Sequence, residues 1–499
     1  MPYFQIDTLE QDALEVLDLV RSMRNTFAPI NRTPPEVLSL IPDYLKGYDK
    51  DKSLIWLTHV CRDFREIFIS CPSLWTYLDF TDIEKTRVYI ERSKCAPLEI
   101  HLKPPYLEGA FLLAIPHIHR LKTLRVSRVS TEILPVLVEH FSCPLPLLDE
   151  LEIDFSYEYN IPTLPRGIFN GDLSSLHKLT LKRVITALPW RNLSNLTTFK
   201  LHDVPEDKIL LTQLLDFFES APNLRHIELY NSLPSFSNVP TERVVSLPYL
   251  KNLSIKADQL HSILLNHLSI PARASLRLEF KFDDEHSPIS SYLPESPNSL
   301  RNLSHITAVN LCFGFRRRYI RLNGPSGELS ILGNWIHREE RPSTGTSRVM
   351  QYLGQLDISR TRWLAITLYS YRPSNPAQIT KSTLYRTLRR MEDLRTLILI
   401  RCEDLPFIHT LNPDNNPSKV VLCPRLEEII FYIGIRDLLH VDELMNMAEE
   451  RASRGAKLST IKIFGTDLEE EVLYLLREHV SHVDHESYDE PPDWDTLPD

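Results

Sequence analysis

The sequence predicts an α/β protein in which a small helical module precedes a long array of strand, loop and helix units sharing one parallel sheet. Three observations predict it. A pattern L-x-x-h-x-h, with h apolar, returns from Leu121 almost to the end of the chain, at a spacing of about 28 residues that marks a repeat architecture. Segments with helix-period apolar residues fill the gaps between copies. Ahead of the array, residues 30–80 hold three short apolar helices, a core too small to be stable without support.

Composition narrows the function. At 499 residues the chain exceeds a single compact core. Its 13 glycines against 36 prolines argue against phosphate-cradling loops, which need glycine's backbone freedom. The formal charge is −10, and seven acidic residues with no Lys or Arg lie in 482–499. The rest of the chain is therefore near neutral, which does not point to nucleic acid. The seven cysteines (61, 71, 95, 143, 312, 402, 423) show no paired metal spacing. They read as reduced and mostly buried, as in an intracellular protein of cytoplasm or nucleus. No apolar run approaches the ~18 residues that span a membrane, and the N-terminus lacks a signal-peptide pattern.

Residues 1–29 form the first segment. Ile6, Leu9, Ala13, Val16, Val20, Met23 and Phe27 step alternately by three and four, an a/d heptad pattern, with Leu14, Leu17 and Leu19 beside the seam. A helix packed on the neighbouring helical module is one reading; weak self-association through a coiled coil is the other.

In residues 30–80, Pro34 and Pro35 suit a first helical turn. Val37, Leu40, Ile41 and Tyr44 or Leu45 come next at helical spacing. A second helix begins at Leu54, with Ile55, Leu57, Val60 and Cys61, and a third from about Arg62 carries Phe64, Ile67 and Phe68. Pro34-Pro35-Glu36-Val37-Leu38, then Leu57-Thr58-His59-Val60-Cys61-Arg62-Asp63-Phe64-Arg65, then Pro72-Ser73-Leu74-Trp75 resemble the F-box motif in its fungal form. Two positions depart from the family: Thr33 stands where Leu is usual, and Pro42 falls inside the first helix. An interior proline costs ~3 kcal/mol unless the helix kinks.

The array, 98–481, opens with copies at Leu121, Leu148, Leu176, Leu196, Leu224 and Leu250. It continues from Ile306, Trp363, Leu394, Leu426 and Leu458, with weaker copies around Leu278 and Leu329. The spacing is that of leucine-rich repeats, although only Cys402 matches the Asn or Cys that usually comes after the strand. Helices are expected over 131–141, 211–220, 259–268, 383–391 and 441–452. Together these predict an irregular solenoid with a parallel sheet on its concave side. A capping helix over 467–480 and a disordered acidic tail, 482–499, complete it. Residues 234–240 and 338–348 break the rhythm as polar loops. The basic run Arg316-Arg317-Arg318 with Tyr319 and Arg321 reads as a solvated loop or strand edge.

No residues assemble into a catalytic site, a metal site or a cofactor site. Gly324-Pro325-Ser326-Gly327 lacks nucleophile-elbow spacing, and His117-Ile118-His119 lacks a third ligand. The strands do offer a recognition surface, because residues alternating with the buried ones face the other side. These include Glu150, Glu152 and Asp154, Lys178 and Lys182, Lys200, Tyr369, Ile398 and Ile400, Ile430 and Tyr432. The resemblance implies a substrate-recognition subunit of a Skp–cullin–F-box ubiquitin ligase, itself non-catalytic. Pro34, Pro35, Glu36, Val37, Leu40, Ile41, Leu57, Val60, Cys61, Phe64 and Trp75 would dock the Skp-family adaptor. Trp75 would also pack between the module and the first repeat. Lys178, Lys182, Lys200, Tyr369, Ile398, Ile430 and Tyr432 would hold a target protein. The residues alone support a leucine-rich-repeat interaction scaffold independent of ubiquitin.

Overall fold

The computed structural model describes residues 2–44, 50–156, 161–165, 167–171, 173–186, 193–234, 243–257, 262–282, 306–313, 317–324, 327–335, 353–354, 356–368, 379–402, 404–433, 439–466 and 468–486. The chain is mixed α/β with mostly parallel strands. It divides into two compact units, Met1–Leu193 and Ser194–Asp499.

The first unit begins with helix Pro2–Thr26. Next come four shorter helices: Pro35–Leu38, Ile41–Tyr44, Lys50–Thr58 and Arg62–Ser70. The proline inside the expected first helix splits it: Pro42 opens the second short helix instead of interrupting a longer one. Five strands then pair in parallel and in chain order: Tyr77–Leu78, Leu98–Leu102, Leu121–Val129, Glu150–Phe155 and Lys178–Lys182. Ile100, Leu124, Leu151 and Leu179 lie in register across four strands, as do Leu102, Val126, Ile153 and Leu181, and all eight are buried. Alternation puts these rows on one face, where Phe80, Phe111, Phe141 and Phe169 join them as successive ring contacts.

The second unit repeats the device. Strands Thr198–His202, His226–Tyr230, Asn252–Ala257 and Ser275–Phe282 pair in parallel, with Phe199, Ile227, Leu253 and Leu276 forming one buried row. Helix Leu211–Ser220, where the periodicity places it, packs on this row, Phe217 lying 4.4 Å from Phe199 between ring centres. Five later strands also stack in parallel: Trp363–Leu368, Thr396–Ile400, Glu428–Tyr432, Thr460–Phe464 and His482–Glu486. Helices Lys381–Leu388, Leu405–Leu411, Val441–Ser453 and Glu470–His479 alternate with them. Inside this unit, fully buried Arg451 caps the carbonyls of Leu422 and Cys423 at 2.8 and 3.0 Å.

The strands end in a recurrent turn. Arg183, Asp203, Asn231, Arg401 and Gly465, each just past a strand, all have positive φ. The amides of Asp203, Arg401 and Gly465 reach the carbonyl of the neighbouring strand's last residue, and that of Asn231 reaches Lys256 O, one residue before the end of its neighbour. At Gly465 the requirement is strict, since a Cβ there would meet the Ile433 carbonyl oxygen at 2.3 Å. Two residues past their strands, Ser232 and Cys402 bond backbone groups of the adjacent rung: Ser232 Oγ accepts from Val204 N–H at 3.0 Å, and Cys402 Sγ donates to Ile366 O at 3.2 Å.

Four expectations are corrected. The stretch 482–499 is not wholly without structure: His482–Glu486 pairs with Thr460–Phe464, backbone bonding sufficing despite the acidic side chains. The basic segment is not a sheet edge. Strand Arg317–Gly324 pairs antiparallel with Ala308–Phe313 on one side and Gly327–Trp335 on the other. Helix Pro2–Thr26 does not bury its stripe against the module, since Leu9, Val16, Val20 and Met23 are all exposed. The seven cysteines are thiols, but only Cys312 and Cys423 are buried and Cys95 is exposed. The two polar loops expected at 234–240 and 338–348 fall outside the described residues, apart from Pro234.

Trp75 ties the helical module to helix Ile83–Ser93. Its ring meets Tyr89 edge-on at 5.0 Å, Arg92 lies over it at 4.3 Å, and its Nε1–H donates to Phe68 O at 2.8 Å. Trp75→Ala should destabilise the first unit by about 3–5 kcal/mol, read as a lowered melting temperature in calorimetry; an unchanged trace would refute this role.

Candidate functional site

The sequence-derived contacts divide between two kinds of surface. The first is the helical module. Helices Lys50–Thr58 and Arg62–Ser70 bury Leu54, Thr58, Phe64 and Phe68, with the two phenylalanine rings edge-on at 5.6 Å. Cys61 caps the second of these helices, its sulfur accepting from Phe64 N–H at 3.5 Å. With the inward positions filled, several other apolar side chains are left in solvent. Val37 and Leu40 are each 51% exposed, and Trp56 and Val60 each 60%. Tyr44 and Ile55 are exposed as well, as are Phe27 and Ile30 just upstream.

Of the expected docking residues, Pro34, Pro35, Glu36, Val37, Leu40 and Val60 are exposed, and Ile41, Leu57 and Cys61 are half-buried. Phe64 and Trp75 are corrected: both are core residues, at 3% and 2% exposure, and neither offers surface to a partner. Residues missed from the sequence are Tyr44, Ile55 and Trp56. A signal existed for the last two, because Leu54 and Thr58 lie one turn apart on the inward face, which turns Ile55 and Trp56 outward.

The second kind of surface is the sheet face opposite the buried rows, taken in each unit by itself. In the first unit it is a lattice of ion pairs. Arg125 and Lys178 approach Glu150 at 3.1 and 3.9 Å, and Lys182 lies 3.1 Å from Glu152. Burial alone would lower the pKa of Arg125, but the hydrogen bond and charge of Glu150 hold it above the usual value. Beside this lattice, Tyr77 Oη contacts His101 Nδ1 at 3.0 Å and Ser127 Oγ contacts Nε2 at 2.9 Å. Burial first, then Arg125 and Lys103, lowers the His101 pKa, which favours the neutral ring.

In the second unit Lys200 pairs with Glu228 at 2.9 Å, and Lys256 with Glu279 at 2.6 Å while lying 4.9 Å above the Tyr230 ring. Lys178, Lys182 and Lys200 are therefore each neutralised by a carboxylate on the neighbouring strand. A strand-by-strand reading of the sequence shows the lysines, whereas register shows the pairs.

The face turns apolar toward the later strands of this unit. Ala365, Ile398 and Ile430 lie in one row, and Thr367, Ile400, Tyr432 and Phe464 in the next. Ile398 and Ile400 are corrected: expected outward and available, they are buried with Ala365 in a second apolar cluster. Trp363, Ile430 and Tyr432 pack against that cluster and remain partly exposed. Tyr432 and Phe464 stack at 4.8 Å with planes 13° apart, and Lys462 pairs with Glu428 beside them at 2.9 Å. The accessible patch is thus Trp363, Ile430, Tyr432 and Phe464. Tyr369 lies outside the described residues.

Among the described residues no group of three or more His, Cys, Asp or Glu side chains is arranged to hold a metal ion, and no helix is long and apolar enough to cross a membrane. No protein-family model matches the chain, and no curated protein is significantly similar to it.

The Lys200–Glu228 pair makes a pH prediction. Burial would raise the Glu228 pKa, but hydrogen bonding and charge from Lys200, with His202 3.1 Å away, bring it below the ordinary 4.5. A depressed carboxylate contributes stability above its unfolded pKa and loses it as pH falls through the folded value. On acidification past 4.5, the parent's melting temperature should fall more steeply than that of Glu228→Gln; parallel curves would show the pair contributes nothing.

Proposed function

We propose that the protein is the target-recognition subunit of a Skp–cullin–F-box type ubiquitin ligase. In this reading residues 30–80 are an F-box and the strand–helix array is an irregular leucine-rich-repeat solenoid. The observation that carries it is that the module leaves Val37, Leu40, Trp56 and Val60 exposed while its core is already filled by Leu54, Phe64 and Phe68. Side chains that could have been buried are left in water, the mark of a surface awaiting a partner. The motif resemblance names the Skp-family adaptor as that partner. The protein itself does no chemistry: it holds a target near a ubiquitin-charged enzyme brought by the cullin.

The target-binding role falls to the accessible patch of Trp363, Ile430, Tyr432 and Phe464. Aromatic residues give large contact area at small entropic cost and dominate interface energetics. The lysines at 178, 182 and 200 contribute less than their charge suggests, because a target's acidic groups would compete with Glu150, Glu152 and Glu228 already in place.

Two experiments test the two halves. Replacing Val37 and Trp56 by Asp should weaken adaptor binding by about 2 kcal/mol or more per anchor, enough to abolish co-purification, while the melting temperature stays put because both are exposed. Adaptor capture undiminished in that variant would remove the ligase reading and leave a ubiquitin-independent scaffold. Separately, Tyr432→Ser with Phe464→Ser should lose captured target proteins and keep adaptor; an unaltered set of co-purified proteins would exclude this patch as the recognition surface.

A further inference from the structure

Helix Pro2–Thr26 is 25 residues long, about 37 Å from end to end, and its apolar side chains meet water. Leu9, Leu14, Val16, Leu17, Leu19, Val20 and Met23 are all exposed, with Phe27 at its C-terminal end. The helix is fastened near that end, where Asn31 Nδ2 donates to Asn25 O at 2.7 Å and the chain turns into Pro29–Arg32. Leu9, Ala13, Val16, Val20 and Met23 lie within a narrow stripe along one face, since steps of three and four residues nearly close a helical turn, and Phe27 follows just past the last helical residue. Leu17 flanks the stripe on one side and Leu19 on the other.

The charges select an occupant. Asp7, Glu10, Asp12, Glu15 and Asp18 fill the first part of the helix, and Arg21 and Arg24 the last turns. Two copies side by side in parallel would bring their acidic ends together and leave no cross-pair between acid and base. Reversing one copy brings the basic end of each against the acidic end of the other.

The geometry points to a two-fold antiparallel helix pair between two copies of this chain, centred on Asp18. With that centre the layers are Leu9 against Phe27, Ala13 against Met23, and Val16 against Val20, each formed twice. Small therefore meets large in the Ala13 layer. The flanking positions close in the same register. Leu17 meets its own counterpart on one side of the seam, Leu19 meets its own on the other, and Glu10 faces Arg24 at both ends. The interface is isologous, so it ends at the dimer. In a parallel pair the same flanking positions would set Leu19 against Arg24 and Asp12 against Leu17, and neither ion pair would form. The surface is separate from exposed Val37, Leu40, Trp56 and Val60, so its assembly stands or falls independently of adaptor docking.

The test is the solution mass of the full chain by sedimentation velocity, across a concentration series. A species of twice 58.0 kDa is expected. Val16→Asp with Val20→Asp should return the monomer with an unchanged melting profile, both positions being exposed. Arg24→Glu turns two ion pairs into two like-charge contacts and should weaken the dimer about tenfold; adding Glu10→Arg in the same chain should restore it. Leu17→Cys should form a disulfide-linked dimer under mild oxidation that the parent does not. A monomer at every concentration would overturn the proposal. So would a dimer indifferent to the Val16 and Val20 changes, and a dimer insensitive to Arg24→Glu that gives no Leu17→Cys cross-link would overturn the antiparallel arrangement.

Discussion

Parallel strands cannot be joined by a tight turn: the chain must leave one end of a strand, cross the sheet and return to the same end of the next. That constraint governs most of this molecule. It sets the spacing between apolar strand motifs and calls for helices such as Leu211–Ser220 and Val441–Ser453 along the return path. It also gives the turn after each strand the same task, met by left-handed residues at Asp203, Asn231, Arg401 and Gly465. Once the register is set, the buried face needs only apolar residues at alternate positions. The opposite face is then free to vary, and it does, from ion pairs around Glu150 and Glu228 to the stacked rings of Tyr432 and Phe464.

Much of this is legible in the sequence because it is local. The strand at 396–400 and the helix at 211–220 are written in periodicities of two and 3.6, which need no knowledge of the fold. The periodicity marks 131–141 as one helix, whereas a 3-10 turn, Thr131–Ile133, leads into Leu134–Phe141. Pro135 in the first turn suits the helix start.

Other features depend on neighbours distant in sequence. Alternation shows that Ile398 and Ile400 share a face with Ile430, but not that this face packs into a cluster of its own. Lys182 and Lys200 look like free cations because Glu152 and Glu228 stand 30 and 28 positions away, and only strand register unites them. Phe64 belongs to the motif and counts there as a docking residue, yet helical packing turns it inward against Phe68 while Trp56 takes the surface. The strand at 482–486 is hidden by its own acidity, since an added strand draws its stability from backbone bonds to Thr460–Phe464.

The antiparallel strands at the middle of the second unit have a kinetic consequence. Strand Ser275–Phe282 lies beside Gly327–Trp335, while Ala308–Phe313, nearer to it in sequence, lies beside Trp363–Leu368. A chain folding rung by rung from 198 onward can stack as far as 282, and then the next strand among the described residues, Ala308–Phe313, belongs elsewhere. The rungs from 363 to 486 can zip together meanwhile, since each meets the one just before it. Folding of this unit therefore has two starting points, and the three-stranded meander is the piece that must close the larger loop and join them. Loop closure of that kind is slow compared with adding a neighbouring rung. A half-assembled unit would present the backbone edges of 275–282 and 363–368 to solvent, and those edges are where a newly made chain is most exposed to wrong pairing.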